Sequence, residues 1–112
     1  MPADSEDIEQ ARALAKQAHE LVVGGDLDAA LVTLDELLRA HGKTSETDVR
    51  EQVAWGLRTR AGVLEMMGKR YEALAAYEAL LVHFGSGESA AIDETVAYAR
   101  QRRHSIVIGG HA

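Results

Sequence analysis

The sequence repeats part of itself at a spacing of 43 residues. Shifting the chain by that amount superimposes glycine on glycine, small on small and aromatic on aromatic residues. The matched pairs are Gly25/Gly68, Ala30/Ala73, Leu31/Leu74, Leu37/Leu80, Leu38/Leu81, Gly42/Gly85, Glu51/Glu94, Val53/Val96, Ala54/Ala97 and Trp55/Tyr98. A fixed period of this size is typical of stacked helical repeats, none of which can bury its apolar face alone. A chance alignment of Ala- and Leu-rich helices is the alternative, and the glycines in register argue against it.

The apolar residues within each period predict two helices. Leucine and alanine recur at three- and four-residue spacing, which is typical of amphipathic helices. Gly25 and Gly68 separate the members of each pair by a turn short enough to make them antiparallel. Gly42 and Gly85 follow the second helices, where we expect a left-handed conformation. The predicted helices span about 6–23, 26–41, 46–67, 70–84 and 89–107.

The predicted fold is therefore all-α, a helical-repeat array of about five antiparallel helices, and the family resemblance described below implies that the array is right-handed. It forms a single domain over 1–112, with repeat 1 at about 6–43, repeat 2 at about 45–87 and a capping helix at about 89–107. The last helix lies where a third repeat would begin and is expected to cover the open end of the core.

Particular contacts follow from this arrangement. Ala30 and Ala73 are expected to lie buried at helix crossings, where a larger side chain has no room. Ser45 and Asp48 have the spacing of a capping box for the third helix. The capping helix is expected to cover an apolar edge made by Leu57, Leu64, Leu74 and Leu81.

Composition excludes several classes of function. Without cysteine there is no disulfide framework, thiolate metal site or cysteine nucleophile. The five histidines lack the spacing of a helical zinc site, and no nucleophile, cofactor or phosphate-binding motif is present, so we expect no enzyme, no metal and no cofactor. A net charge of −6 argues against nucleic-acid and anionic-membrane binding. With neither a membrane-spanning stretch nor a signal-peptide pattern, we expect a cytoplasmic location.

The stretch from Gly68 to Tyr77 resembles the turn and second helix of the tetratricopeptide repeat (TPR) family. It has the turn glycine, the small Ala73 at the helix crossing and an aromatic residue one turn later. The stretch from Gly25 to Leu31 is similar, with Leu34 in place of the aromatic, and Ala18 and Ala61 fall where the family keeps its close helix contact. The resemblance covers about 11–44 and 54–87 well and 88–107 partly.

Three features depart from the family pattern. Glycine replaces the usual closing proline, Leu14 and Leu57 replace the first-helix aromatic, and residues 45–53 lengthen the usual period of about 34 residues. The added segment resembles the longer first helix of some bacterial arrays of this family. The resemblance implies the fold and names no partner.

The resemblance also implies that the first helices line a concave groove that holds a segment of another protein. Four cations and two aromatics would lie on this face of an acidic chain, which suits an acidic, partly apolar segment. Arg58 and Arg102 are expected to be exposed there. Some members of the family bind a peptide C-terminal carboxylate with a set of lysines, asparagines and an arginine. Of that set, only the arginine is present at the matching position of this chain, as Arg102. The candidate partner-binding residues are Arg12, Lys16, His19, Trp55, Arg58, Met66, Tyr98 and Arg102.

Three interpretations of this surface and of the C-terminal edge stay open. The first is an adaptor or scaffold that docks a partner segment in the groove. The second is a structural module that forms homo-oligomers through 89–112, since 105–112 is apolar. The third interpretation of the charged face is a set of solvated side chains on exposed helices.

Overall fold

The computed structural model describes the backbone of residues 2–109 and the side chains of residues 6–109. All regular structure in that range is helical, which confirms the predicted all-α class. The helices are α1 (Pro2–Val23), α2 (Leu27–His41), α3 (Thr47–Met66), α4 (Arg70–His83) and α5 (Ala90–Gly109). Their ends lie within two residues of the predicted ones, except that α1 begins at Pro2 and not near residue 6.

The helices pack only against their neighbours. α1, α3 and α5 contact one another in that order, α2 packs against α1 and α3, and α4 packs against α3 and α5. Among the described residues, no Cα atom of α2 lies within 8 Å of a Cα atom of α4. Short turns at 24–26 and 67–69 make α1 antiparallel to α2 and α3 antiparallel to α4. The resulting slab measures 52 × 33 × 18 Å.

The two turns have the same construction. Gly25 and Gly68 are left-handed, with φ of 81° and 76°. The N–H groups of Gly25 and Asp26 donate to the carbonyls of Val22 and Leu21, at 3.0 and 2.9 Å. One period later Gly68 and Lys69 donate to Glu65 and Leu64, again at 3.0 and 2.9 Å. This pattern satisfies the last carbonyls of α1 and α3 and accounts for both glycines.

Two expectations about helix ends were wrong. Gly42 is right-handed, with φ of −61°, and its N–H continues the helix by donating to the Leu38 carbonyl at 2.8 Å. Gly85 is not left-handed either. Both glycines lie in connections, 42–46 and 84–89, that are longer than the two tight turns and need no left-handed residue at these positions. The capping box at Ser45 and Asp48 is also absent, because the N–H of Glu46 donates to the Thr44 hydroxyl and Glu46 occupies the N-cap position.

The core consists of small residues at helix crossings and larger ones between them. Ala30 and Ala73 are fully buried, as predicted. α3 approaches α2 closely at Gly56, where a β-carbon would lie 2.8 Å from Cδ2 of Leu37. Leu64 belongs to the core cluster that includes Ile92 and Val96 of α5, and Leu57, Leu74 and Leu81 pack against that cluster. Leu57 also lines a small cavity with residues of α2 and α4.

Replacing Ala73 with leucine is expected to lower the free energy of unfolding by about 1–3 kcal/mol, because the larger side chain overpacks a filled crossing. Thermal unfolding followed by circular dichroism should show the loss, at roughly 4–8 °C per kcal/mol for a chain of this size. Ala75→Leu is the matched control, since Ala75 is exposed on the same helix. An equal melting temperature for the two variants would contradict the buried crossing.

Candidate partner-binding groove

Two cavities lie side by side on the surface formed by α1, α3 and α5. Cavity 1 has a volume of about 630 Å³ and lies toward the C-terminal ends of the three helices. Cavity 2 has a volume of about 560 Å³ and lies toward the N-terminal ends of α3 and α5. Arg58 lines both cavities, and we call the two together the groove.

The structure brings all eight candidate residues to this groove. Met66, Tyr98 and Arg102 line cavity 1, and Arg58 borders both cavities. The remaining residues line cavity 2: Arg12, Lys16, His19 and Trp55. Helical spacing within each first helix explains the shared face, and the stacking of α1, α3 and α5 brings the three faces together. Their role in binding stays a prediction.

Arg58 is packed against its neighbours and is not freely exposed, contrary to the expectation. Its guanidinium lies over the Tyr98 ring, 4.9 Å from the ring centroid. Tyr98 in turn meets Tyr77 edge to face, with ring centroids 6.3 Å apart. A cation over an aromatic face is attracted by the ring quadrupole, so Arg58 links α3 to α5 across the floor of the groove.

Arg102 is also engaged by a neighbouring helix. Its Nε donates to Oε1 of Glu65 at 3.2 Å, and Nη2 donates to Oε2 of the same carboxylate. The Tyr77 hydroxyl donates to Oε1 of Glu65 at 2.7 Å. The Arg102 side chain is 34% exposed, so the expectation of a free, exposed cation was wrong. This network joins α3, α4 and α5 at the wall between cavity 1 and a third cavity near Gly109.

The surroundings change the proton affinities of all three groups in this network. Burial raises the pKa of Glu65, but hydrogen bonds from Arg102 and Tyr77 outweigh it and leave that pKa below its ordinary value. Burial raises the pKa of Tyr77, and the Glu65 carboxylate raises it further. The hydrogen bond to Glu65 raises the pKa of Arg102. At neutral pH the network is therefore a carboxylate held by one cation and one neutral phenol.

The groove is less basic than its cations alone suggest. Three carboxylates line the same cavities and offset most of the charge of the four cations: Glu51, Glu65 and Glu94. Sequence reasoning missed them as groove residues, although Glu51 and Glu94 match at the 43-residue shift and stand four residues before Trp55 and Tyr98. Arg12 and Lys16 are exposed on α1 and form the most accessible cationic wall.

Metal-ligand groups and membrane-spanning helices were sought in the described part of the chain. No group of three or more potential metal ligands occurs among the described residues. No helix there is both long and apolar enough to cross a membrane. The arrangement can present charge, aromatic surface and apolar side chains to another molecule.

Comparisons of the chain with protein-family models, with curated proteins and with solved structures gave no match. The resemblance to the tetratricopeptide repeat therefore depends on the residues of the chain itself and stays a prediction.

Proposed function

We propose that the chain is a non-catalytic protein-interaction module of the tetratricopeptide-repeat type, acting as a cytoplasmic adaptor that holds a partner segment in the groove. The observation that carries this proposal is the convergence of eight candidate residues from three helices on two adjoining cavities. The neighbour-only packing and the two identical turns support the repeat interpretation.

The groove chemistry suggests what the partner segment presents. Arg12 and Lys16 on α1 offer exposed cations to carboxylates. Val22 and Met66 give cavity 1 an apolar wall, beside the Tyr98 ring. An acidic segment with an apolar side chain fits these two halves, because the carboxylates meet α1 while the apolar group enters cavity 1.

A second candidate function is homo-oligomerisation through 89–112. Val107 and Ile108 favour it, since their side chains are 46% and 55% exposed near the end of α5. Residues 110–112 of the proposed edge lie outside the described residues. One observation argues against oligomerisation through this edge. At the 43-residue shift, Leu57 and Ala61 of α3 match Arg100 and His104 of α5. These polar residues suit a face open to water better than an apolar interface.

The double variant Arg12→Glu with Lys16→Glu tests the docking function. We expect it to lose capture of the native partner while keeping its helicity and melting temperature, since both side chains are exposed. The partner is first identified by pull-down from the host, and its binding is then titrated by the fluorescence of Trp55, the sole tryptophan. Wild-type binding should also weaken as salt rises, because exposed charges are screened.

The matched control is Arg39→Glu with Lys43→Glu, which makes the same change in charge on exposed residues outside the two cavities. Binding by this control should equal that of the wild type. An equal loss of partner binding in both double variants would indicate a general effect of net charge. Full binding by the Arg12/Lys16 variant would show that the docking site lies outside the groove.

A further inference from the structure

The two identical turns lie at the same end of the molecule. Because successive helices are antiparallel, the turn between α1 and α2 and the turn between α3 and α4 both lie where α1, α3 and α5 finish. Gly68 of the second turn and Gly109 of α5 line one cavity there. We call this surface the turn end.

The two turns carry opposite charges. Asp26 lies in the first turn and Asp28 follows it at the start of α2. Lys69 lies in the second turn and Arg70 follows it at the start of α4. All four residues are exposed, and within residues 6–109 none of them forms an ion pair. The Arg70 guanidinium lies over the ring of its neighbour Tyr71, 5.2 Å from the ring centroid. Two cations at the start of α4 oppose the helix dipole, which favours negative charge there, and the exposed Glu72 in the first turn of α4 offsets only part of their charge. The helix dipole therefore does not explain Lys69 and Arg70.

Apolar surface is concentrated at the same end. Among the described residues, the most exposed large apolar side chains at the turn end are Val23, Met66, Tyr71, Val107 and Ile108. Elsewhere among the described residues, Val82 at the opposite end and Val32 midway along α2 are exposed to a comparable degree. Val23 and Tyr71 flank the two charged turns and are 74% and 78% exposed. Apolar surface gathered beside complementary charges is typical of an interaction surface.

We propose that the turn end is a dimerisation surface and that its occupant is the turn end of a second copy of this chain. A two-fold axis between the two turns brings the acidic turn of each copy against the basic turn of the other, so every charge contact occurs twice. Val23 of one copy then lies near Tyr71 of the second copy. This surface shares Val107 and Ile108 with the 89–112 edge and Met66 with cavity 1, but its charged contacts come from the two turns, and it leaves Arg12 and Lys16 of the groove uncovered.

Complementary charge reversal tests the proposal. The wild type should form a concentration-dependent dimer in sedimentation or light-scattering measurements. Asp26→Lys neutralises the acidic turn, because Asp28 remains, and Lys69→Asp neutralises the basic turn, because Arg70 remains. Each variant alone therefore loses the charge attraction in both contacts of its dimer and should dimerise at least about tenfold more weakly. An equimolar mixture of the two should recover dimers, because the intact acidic turn of one variant then meets the intact basic turn of the other. Native mass spectrometry would identify those dimers as mixed.

Neither substitution removes a capping hydrogen bond, because the Asp26 and Lys69 side chains make none. Glu36→Lys and Lys43→Asp, which change exposed charges away from the turn end, should dimerise as the wild type does. If a charge-reversed variant fails to fold, Asp26→Asn and Lys69→Gln remove the same charges without reversing them and allow the same comparison. A monomeric wild type, undiminished dimers in the single variants, or a mixture without mixed dimers would each overturn the proposal.

Discussion

A chain shortened to residues 1–88 is expected to aggregate and to lose cooperative unfolding. α5 contributes Ile92, Val96 and Ile106 to the same core cluster as Tyr77 and Leu80 of α4. Burying a side chain of this size contributes roughly 1.5–3 kcal/mol each. The burial free energy lost with these three side chains, and with the surfaces they cover, is comparable to the whole free energy of unfolding of a small domain, about 5–15 kcal/mol.

The truncation has a second effect, on the polar network. Without Arg102, the Glu65 carboxylate keeps only the Tyr77 hydroxyl as a hydrogen-bond donor from another helix. The full chain is the control, and light scattering with urea unfolding followed by circular dichroism gives the measurement. A soluble 1–88 monomer that unfolds as cooperatively and at the same urea concentration as the full chain would show that α5 is dispensable for the core.

Arg102→Glu is expected to lower the free energy of unfolding by about 2–4 kcal/mol, because it sets a second carboxylate against the partly buried Glu65. The Tyr77 hydroxyl remains as the donor, but it cannot neutralise two negative charges. The melting temperature should fall by roughly ten degrees or more. Arg103→Glu, an equal change of charge at an exposed neighbouring position, should have little effect.

Acid unfolding gives an independent readout of the same network. The pKa of Glu65 is lowered in the folded chain, so its contribution to stability is present above the ordinary carboxyl pKa and is lost as pH falls through the folded value. Glu65→Gln should therefore flatten the fall in stability below about pH 4.5. A wild-type acid dependence that persists unchanged in this variant, or equal melting of Arg102→Glu and Arg103→Glu, would contradict the role given to the ion pair.

These results also affect how the groove can be tested. The sequence predicted that Arg58 and Arg102 are exposed binding cations, which would make them natural targets for charge reversal, but both side chains bridge α3 and α5. Reversing the charge of these two residues would lower the stability of the fold as well as binding, so the two effects could not be separated. Arg12 and Lys16 avoid this difficulty because they are exposed on α1.

Local rules predicted the helices and the two tight turns, because glycine register and apolar spacing are properties of short stretches of chain. The conformations of Gly42 and Gly85 were not predicted correctly, since they depend on the length of the connection that follows. The partners of Arg102 were missed for a different reason. Glu65 is 37 residues away and meets Arg102 only when α5 packs beside α3. Periodicity assigns a side chain to a helix face, and tertiary packing decides which of its neighbours it bonds.

The separation of α2 from α4 has a mechanical consequence for the groove. The gap between them is an apolar cavity of about 220 Å³ bordered by Leu38, Leu57 and Ala79. Residues of α3 line both this cavity and the groove. Because packed interiors transmit strain, we expect a change of side-chain volume in the cavity to alter the shape of the groove through α3.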